Sequence, residues 1–257
     1  MRCMAADTLA VVTRPEGQAA GLMQGLERLG LDPVHLPMLA IEPIDPLDPG
    51  DRQHLLDLDL YQHLIFISAN AARVGLSCID DFWPQYPVGQ QCWAVGESTA
   101  QVLETAGLSV SRPSKDMSSE GLLAMEGLQS VSGDRVLIVR GEGGRELLAE
   151  TLVERGAQVD ALRCYRRAPV EHDAGQWQQR LESSPRAVLL ASSGEGVELL
   201  SRLLQPREHT NLASHTLFVP TDRVRALAHD LGWRDIQCAA NASDAAMLSA
   251  VHDWRDA

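Results

Sequence analysis

The chain has 257 residues, 45% of them hydrophobic, which is enough for one large domain or two small ones. Its formal net charge of −13 argues against nonspecific binding to nucleic acid or to an anionic membrane surface, because both favour basic proteins. The sequence shows no apolar run of the length of a signal peptide or a membrane span, so we expect a cytoplasmic protein without membrane association.

The first predicted element is a short apolar strand at 9–12, followed by a turn and an amphipathic helix. The helix places Leu22 and Leu26 on one face and stops before Gly30, a residue typical of the end of a helix. A proline-bearing segment at 38–43 follows. Its composition predicts an extended connector rather than a helix.

Three strand-to-helix transitions come next, at 64–70, 94–99 and 119–123. The first begins with a continuous apolar run, as in a parallel strand that is buried on both faces. In the second, Ser98 and Gln101 have the spacing of a capping box, which predicts the start of a helix.

The second half of the chain repeats the same pieces. A strand at 136–139 leads to Arg140, which lies 126 positions (140 − 14) after Arg14. The helix that follows meets Gly156, which lies 126 positions (156 − 30) after Gly30. A second connector, rich in arginine and ending in proline, occupies 164–171.

Three further pieces recur at an offset of 124 positions: Ser68 matches Ser192, Gly96 matches Pro220, and Ser119 matches Ser243. The spacing of Ser192 and Glu195 also repeats the capping box. A nearly constant offset over five segments predicts a duplicated unit. Because strands and helices alternate within each unit, we expect right-handed βαβ connections and parallel sheets flanked by helices.

Other kinds of site find little support. The five cysteines are scattered without a CxxC pair, which favours free thiols, and none of the eight histidines has HxxxH or HExxH spacing, so we predict no metal. The loop at 141–146 resembles a dinucleotide-binding turn, but Glu146 replaces its third glycine. The segment 192–194 lacks the GxSxG pattern of a hydrolase. We therefore expect no cofactor.

The ordered set of pieces resembles the uroporphyrinogen-III synthase family over almost the whole chain. The resemblance rests on segments 12–15, 68–70, 95–100, 119–123, 140–145, 165–167, 192–194 and 220–221, with Pro37 and Pro43 between the first two. The sequence departs from the family at Val219, where glycine is common, and at Asp222, where a small hydroxyl residue is frequent. These departures weaken the assignment of a substrate contact to Asp222.

The resemblance implies two similar α/β domains with flavodoxin-like parallel sheets, joined by a two-stranded β-ladder. One discontinuous domain would comprise 1–37 and 172–257, and the other would comprise 43–164. The connectors at 38–43 and 164–171 would form the ladder.

The resemblance also implies a cyclising hydro-lyase that acts on hydroxymethylbilane, a linear tetrapyrrole with eight carboxylates. Its terminal hydroxyl leaves, and the resulting azafulvene cation attacks the substituted carbon of the far pyrrole to form a spiro intermediate. Reopening and reclosure invert ring D and give uroporphyrinogen III. Because the bilane also cyclises unaided to the wrong isomer, the enzyme's task is geometric control. We expect a monomer that receives the bilane by transient hand-over from hydroxymethylbilane synthase.

Carboxylates suit the starts of helices, where free N–H groups and the helix dipole favour anions. The substrate-binding candidates at such starts are Ser68, Ala69, Asn70, Gly96, Ser98, Thr99, Ser119, Glu120, Gly121, Ser192, Ser193, Pro220 and Thr221. Ordinary helix capping is the alternative interpretation of each serine. Arg14 and Arg140, at equivalent turns, are candidates for bidentate carboxylate binding or for surface arginines paired with an acid.

Tyr165 is the candidate catalytic acid. Matching tyrosines in the family lie in the interdomain cleft near the leaving hydroxyl, and a phenol donates a hydrogen bond while it remains neutral. The alternative is a linker side chain that packs between domains. A noncatalytic two-domain protein that closes on an acidic ligand is the rival from another class. For such a protein we would expect a signal peptide or an effector domain.

Overall fold

The computed structural model describes residues 8–144, 146–184, 186–204 and 214–256. The sequence features at Cys3, Arg145 and His209 lie outside these ranges. The chain divides into two compact units. The first unit runs to Ala40 and resumes at Ala168, and the second covers Ile41–Arg167.

Strands and helices alternate along the described chain. The strands are β1 (Thr8–Val12), β2 (Leu31–His35), β3 (Leu39–Pro43), β4 (His63–Phe66), β5 (Gln91–Ala94), β6 (Val110–Ser111), β7 (Arg135–Gly141), β8 (Gln158–Pro169), β9 (Val188–Leu190), β10 (Thr216–Val219) and β11 (Asp235–Cys238). The helices are α1 (Ala20–Arg28), α2 (Pro49–Leu56), α3 (Ala69–Asp80), α4 (Glu97–Thr105), α5 (Ser119–Leu123), α6 (Leu147–Glu154), α7 (Ala174–Glu182), α8 (Gly194–Leu204), α9 (Asp222–Asp230) and α10 (Asp244–Asp256). Short 3₁₀ turns occupy Leu58–Leu60 and Glu126–Leu128.

Each unit has its own sheet, and five strands follow the same order in both. The second sheet has β3 as an additional edge strand. The first sheet is ordered β11-β10-β9-β1-β2, and its paired strands are parallel. The second is ordered β3-β8-β7-β4-β5-β6, with parallel pairing from β8 to β6. Counted from β1 and from β7 respectively, both follow the order 2-1-3-4-5 of flavodoxin-like folds. The predicted fold class and duplication are confirmed.

Helices cover both faces of each sheet. In the first unit, Leu9 and Val11 belong to a core that includes residues of α8 and α9. Ala10 and Val12 belong to another core, built with α1 and α10. Because successive strand residues face opposite sides, burial on both sides explains why β1 is apolar at every position from Leu9 to Val12. The predicted apolar face of the first helix is confirmed, since Leu22 is fully buried.

The predicted two-stranded ladder is also present. β3 and β8 are neighbours at the edge of the second sheet, and the division between the units falls within both strands. Val170 N–H donates to Met38 O over 3.1 Å at one end of the pair, and Ile44 N–H donates to Cys164 O over 3.0 Å at the other. The pairing is therefore antiparallel, unlike the rest of the sheet.

The predicted offset of 124 positions is wrong by one residue. Ser68 caps α3 by accepting from Ala71 N–H over 3.0 Å, and Ser193 caps α8 by accepting from Gly196 N–H over 3.1 Å. These two caps lie 125 positions apart (193 − 68). The equivalent residues are those that begin each helix, because backbone geometry rather than serine identity sets the register.

The other two helix starts agree with the corrected offset. Gly96 and Thr221 are the N-caps of α4 and α9, and Ser118 and Ser243 accept from N–H groups in the first turns of α5 and α10. The two predicted capping boxes are therefore wrong, since Ser98 lies inside the first turn of α4 and the serine that caps α8 is Ser193 rather than Ser192. No helix in the described ranges is long and apolar enough to cross a membrane.

Candidate functional site

Most of the sequence-predicted site residues follow the carboxyl ends of parallel strands, whereas Arg140 and Tyr165 lie within β7 and β8. Ligands of open α/β sheets bind outside these ends, at the point where the strand order reverses. In the first unit that point lies between β1 and β9, and in the second it lies between β7 and β4. Arg14 and Ser192 follow the first pair of strands. Arg140 and Ser68 stand at the second.

Tyr165 and Ser68, which are 97 positions apart, meet in the second unit. The phenol oxygen of Tyr165 lies 3.2 Å from Ser68 Oγ, and Tyr165 is only 7% exposed. A Cβ added to Gly141, at the end of β7, would come within 2.7 Å of ring carbons of Tyr165. Glycine at position 141 therefore leaves the space that the tyrosine ring occupies.

A β-bulge in β8 precedes this contact. Arg140 of β7 pairs with Arg163 of β8, whereas Gly141 pairs with Tyr165, so Cys164 is the extra residue. Bulges re-aim side chains next to functional sites. Cys164 and Tyr165 are consequently both buried, against the alternation expected of a regular strand.

The Cys164 thiol is not a candidate nucleophile. Burial raises the pKa of Cys164 to about 12, and its Sγ donates to Arg140 O over 3.5 Å. A thiol with so high a pKa stays protonated at neutral pH and is unreactive. Cys78, Cys92 and Cys238 are likewise free thiols. Within the described ranges, no group of three or more His, Cys, Asp and Glu side chains is arranged to hold a metal ion.

The guanidinium of Arg14 is directed at acceptors of its own unit. Its Nε donates to Ser192 Oγ over 3.1 Å, and Nη2 donates to Ala242 O over 2.7 Å. Nη1 donates to Gln18 O over 3.3 Å and pairs with the carboxylate of Asp244. With 9% of the residue exposed, Arg14 joins the ends of β1 and β9 to the start of α10.

Arg140 plays a more local part. Its Nη1 contacts both carboxylate oxygens of Glu146, at 3.1 and 3.2 Å, and its Nη2 donates to Gly143 O over 2.6 Å. The side chain is 5% exposed. Arg140 therefore closes its own βα turn, whereas Arg14 reaches across its unit to α10.

Several candidates at the other helix starts differ in their exposure. Gly96 precedes α4 with φ −154° and ψ 173°, an extended conformation open to any residue. Ser98 is exposed, whereas Thr99 is only 3% exposed and faces the core. In the first unit Thr221 caps α9 and is exposed, while Pro220 is buried.

The remaining candidates in the second unit lie in two first turns. Ser119, Glu120 and Gly121 form the first turn of α5, whose N-cap is Ser118. Ala69 and Asn70 form the first turn of α3, and Asn70 Oδ1 accepts from Arg73 Nη1 over 3.3 Å. The structure thus brings Ser68 into contact with Tyr165, and Arg14 into contact with Ser192.

A surface pocket lies beside the start of α4. Its lining residues are Glu97, Val110, Ser111, Arg112, Pro113, Ser114, Met117 and Met125. A Cβ added to Gly96 would contact Met117 Cβ at 3.6 Å, an ordinary van der Waals distance. The pocket therefore adjoins one of the predicted helix-start sites, with Met117 between them.

Three residues of these sites were missed by reasoning from the sequence. Ser118 could have been found from its spacing to Gly121, which is that of a serine cap. Gly141 was noted only as part of a turn. The ring of Tyr165 packs against it because the β-bulge at Cys164 pairs Tyr165 with Gly141. Asp244 is 230 positions from Arg14, and no local pattern links the two.

Comparison with known proteins gives a consistent result. A family model described as "Uroporphyrinogen-III synthase HemD" matches residues 21–249. The uroporphyrinogen-III synthase of Escherichia coli K12 is 34% identical over 247 residues, which cover 94% of this chain and 98% of that protein. The Salmonella typhimurium uroporphyrinogen-III synthase is 33% identical over 244 residues, with the same two coverages. The crystal structure of uroporphyrinogen-III synthetase from Helicobacter pylori 26695 has a TM-score of 0.62 at 16% identity, covering 96% of this chain and all of that one.

Proposed function

The chain belongs to the uroporphyrinogen-III synthase family, and we propose that it converts hydroxymethylbilane into uroporphyrinogen III. The observation that most strongly supports this function is the 34% identity to the Escherichia coli synthase over nearly the full length of both chains. The family match over 21–249 supports the same function. A linear tetrapyrrole is therefore the substrate, and the enzyme is a cyclising lyase.

The reaction removes one molecule of water and closes the ring. The carbon–oxygen bond of the terminal hydroxymethyl group breaks, the oxygen leaves as water, and the pyrrole nitrogen supplies the electron pair that forms the azafulvene cation. This cation bonds to the substituted carbon of ring D to give the spiro intermediate. The bond between that ring-D carbon and the methylene carbon of ring C then breaks. The methylene carbon of ring C next bonds to the other α-carbon of ring D. Loss of a proton from that carbon restores the pyrrole.

Tyr165 is the residue that protonates the leaving hydroxyl. A tyrosine phenol can donate a hydrogen bond. The tyrosine ring packs against the backbone of Gly141, and its phenol oxygen contacts Ser68 Oγ. These two contacts fix the orientation of the phenol O–H. The proton released from ring D at the end of the reaction restores the phenol.

The substrate carboxylates are bound chiefly by backbone N–H groups at helix starts. Arg14 and Arg140 donate to acceptors within their own units, and a protein with a net charge of −13 offers little general attraction for anions. The first turns of α3, α4, α8 and α9 provide N–H groups and the positive end of a helix dipole. Binding of this kind orients the chain of pyrroles without acid–base groups.

The enzyme acts in the cytoplasm as a monomer, without cofactor or metal. It takes the bilane by transient hand-over from hydroxymethylbilane synthase, because free bilane cyclises to the type I isomer. A reducing compartment suits the free thiols of Cys78, Cys92, Cys164 and Cys238.

The test is product analysis with the purified protein. Hydroxymethylbilane is incubated with and without enzyme, the products are oxidised to porphyrins, and the isomers are separated. The type III isomer should predominate with enzyme, and the type I isomer without it. An isomer mixture that the protein does not change would contradict the proposal.

A further inference from the structure

We propose that Ser68 is a positioning residue that orients the phenol of Tyr165 and stabilises it as it gives up its proton. The inference rests on the proposed function, because it concerns the acid in that reaction. It differs from the expectation that Ser68 binds substrate itself. The role follows from two hydrogen bonds that converge on one serine oxygen.

Ser68 Oγ lies between the start of α3 and Tyr165. It accepts a hydrogen bond from Ala71 N–H over 3.0 Å and lies 3.2 Å from the phenol oxygen. A serine hydroxyl has one O–H donor and two acceptor lone pairs. The cap occupies one lone pair. The O–H and the second lone pair are thus the groups that can face Tyr165, so the bond to the phenol can run in either direction.

The two directions correspond to two stages of the reaction. In the resting enzyme the phenol can donate to Ser68 Oγ. When the leaving hydroxyl of the substrate takes the phenol proton, the serine O–H donates to the phenol oxygen instead. Negative charge that develops on that oxygen then meets a hydrogen-bond donor held at the N-terminus of α3, where the helix dipole also favours negative charge.

The contact is not a requirement of the fold. The equivalent cap in the first unit is Ser193, which accepts from Gly196 N–H over 3.1 Å. Among the described residues, a tyrosine phenol lies beside Ser68 Oγ but not beside Ser193 Oγ. The cap itself therefore does not require the phenol, so the pairing in the second unit serves something besides capping.

A double-mutant cycle on purified enzyme tests the inference. Ser68→Ala should lower kcat for type III formation about 5-fold, the loss expected for one hydrogen bond, with little change in KM. Ser68→Thr retains the hydroxyl and should restore kcat to within about 2-fold of the wild-type value. In a Tyr165→Phe background, Ser68→Ala should cause no further decrease, because the group that it positions is already absent.

A cap removed elsewhere in the same unit is the matched control. Asp48 is the N-cap of α2 and accepts from Gly50 N–H over 2.9 Å, on an exposed part of the surface. Asp48→Ala should lower the denaturation temperature, as Ser68→Ala should, and leave kcat unchanged. This comparison separates loss of helix capping from loss of phenol positioning.

Two results would overturn the inference while the proposed function stands. One is an equal loss of kcat from Ser68→Ala in the wild-type and Tyr165→Phe backgrounds, which would assign the effect to capping. The other is a rise in KM at unchanged kcat, which would assign Ser68 to substrate binding. Failure of the wild-type protein to form the type III isomer would overturn the proposed function as well.

Discussion

At the scale of single residues, the two arginines at the βα turns form hydrogen bonds and ion pairs within their own units. Arg14 reaches Asp244 and Ser192, and Arg140 closes its own turn on Glu146. Tyr165 differs because its phenol oxygen contacts a neutral hydroxyl rather than an ion. A hydrogen bond between two hydroxyls can reverse its direction without moving a formal charge, which is the property that the proposed acid role requires.

Replacing Tyr165 by phenylalanine removes one hydroxyl and little volume. A positioned proton donor typically contributes about 10²–10⁴-fold to a rate, and because the bilane ionises readily we expect a loss at or below the low end, about 10- to 100-fold. The isomer ratio should stay largely type III, because the carboxylate contacts remain. Turnover and isomer ratio are measured together with circular dichroism. Full turnover in a folded variant would leave Tyr165 with a packing role alone.

His215 gives the first unit a defined response to acid. Burial lowers the pKa of His215 below its ordinary value of 6.5, and its Nδ1 accepts from Ala187 N–H over 3.2 Å. As the pH falls, the unfolded chain therefore protonates His215 at a higher pH than the folded chain does. The stability that depends on neutral His215 is fully present above about pH 6.5 and is lost as the pH falls. His215→Asn retains an acceptor and should flatten the decline in unfolding free energy between pH 7.5 and 5.5.

The exposed His229 is the matched control for that measurement. Its side chain is 67% exposed, so His229→Asn should leave the pH dependence of the unfolding free energy unchanged. Chemical denaturation at several pH values gives the comparison. A wild-type slope in His215→Asn would show that other groups cause the acid sensitivity.

At the scale of elements, the starts of the helices are the repeated feature of the fold. Ser68, Gly96 and Ser118 begin helices in the second unit, and Ser193, Thr221 and Ser243 begin their counterparts. Each follows the carboxyl end of a parallel strand, where backbone N–H groups face outward. The two units therefore offer similar groups of N–H donors, which is what the proposed binding of a polyanionic substrate requires.

Gly96→Val tests one of these starts without disturbing the fold. The backbone of Gly96 is extended and an added Cβ meets Met117 at an ordinary distance of 3.6 Å, so we expect normal stability. Bulk at this position should obstruct a carboxylate that approaches the backbone, raise KM and allow unaided type I product to appear. Gly96→Ala should have a smaller effect of the same kind. Wild-type KM and isomer ratio in Gly96→Val would remove this turn from the site.

Patterns in the sequence predicted most of the elements but not their register. Apolar runs and glycine stops identified the central strands of both units and the helices that follow them, because each pattern is local, whereas β2, β11, α2 and α7 were not predicted. The offset of 124 rather than 125 arose from matching Ser68 to Ser192, although the cap is Ser193. Ser192 and Ser193 are the same residue type at adjacent positions, so the sequence does not show which of them caps the helix. The hydrogen bond from Gly196 N–H identifies Ser193.

At the scale of the whole molecule, duplication predicted the architecture better than it predicted the site. The shared strand order follows from the repeat, whereas the contacts of Tyr165 with Ser68 and of Arg14 with Asp244 join residues 97 and 230 positions apart. A bulge at Cys164 and a turn closed by Arg140 are departures from the repeat. No periodicity encodes them, because the bulge depends on the pairing of β7 with β8 and the turn depends on the particular side chains of Arg140 and Glu146.

A chelator tests the expected independence from metal. Prolonged treatment with EDTA, followed by removal of the chelator, should leave the rate of type III formation unchanged, since the proposed chemistry uses a phenol and backbone donors. The rate is measured against a mock-treated sample of the same preparation. Loss of activity that a divalent cation restores would contradict this expectation.

The most direct test of ring-D inversion is the pattern of bonds in the product. The bilane is labelled with ¹³C at the hydroxymethyl carbon and at the ring-D carbon that already carries the link to ring C. Inversion through the spiro intermediate makes these two carbons direct neighbours, so we predict a one-bond ¹³C–¹³C coupling in the NMR spectrum of the enzymatic product. Two uncoupled signals, as expected from closure without inversion, would contradict it.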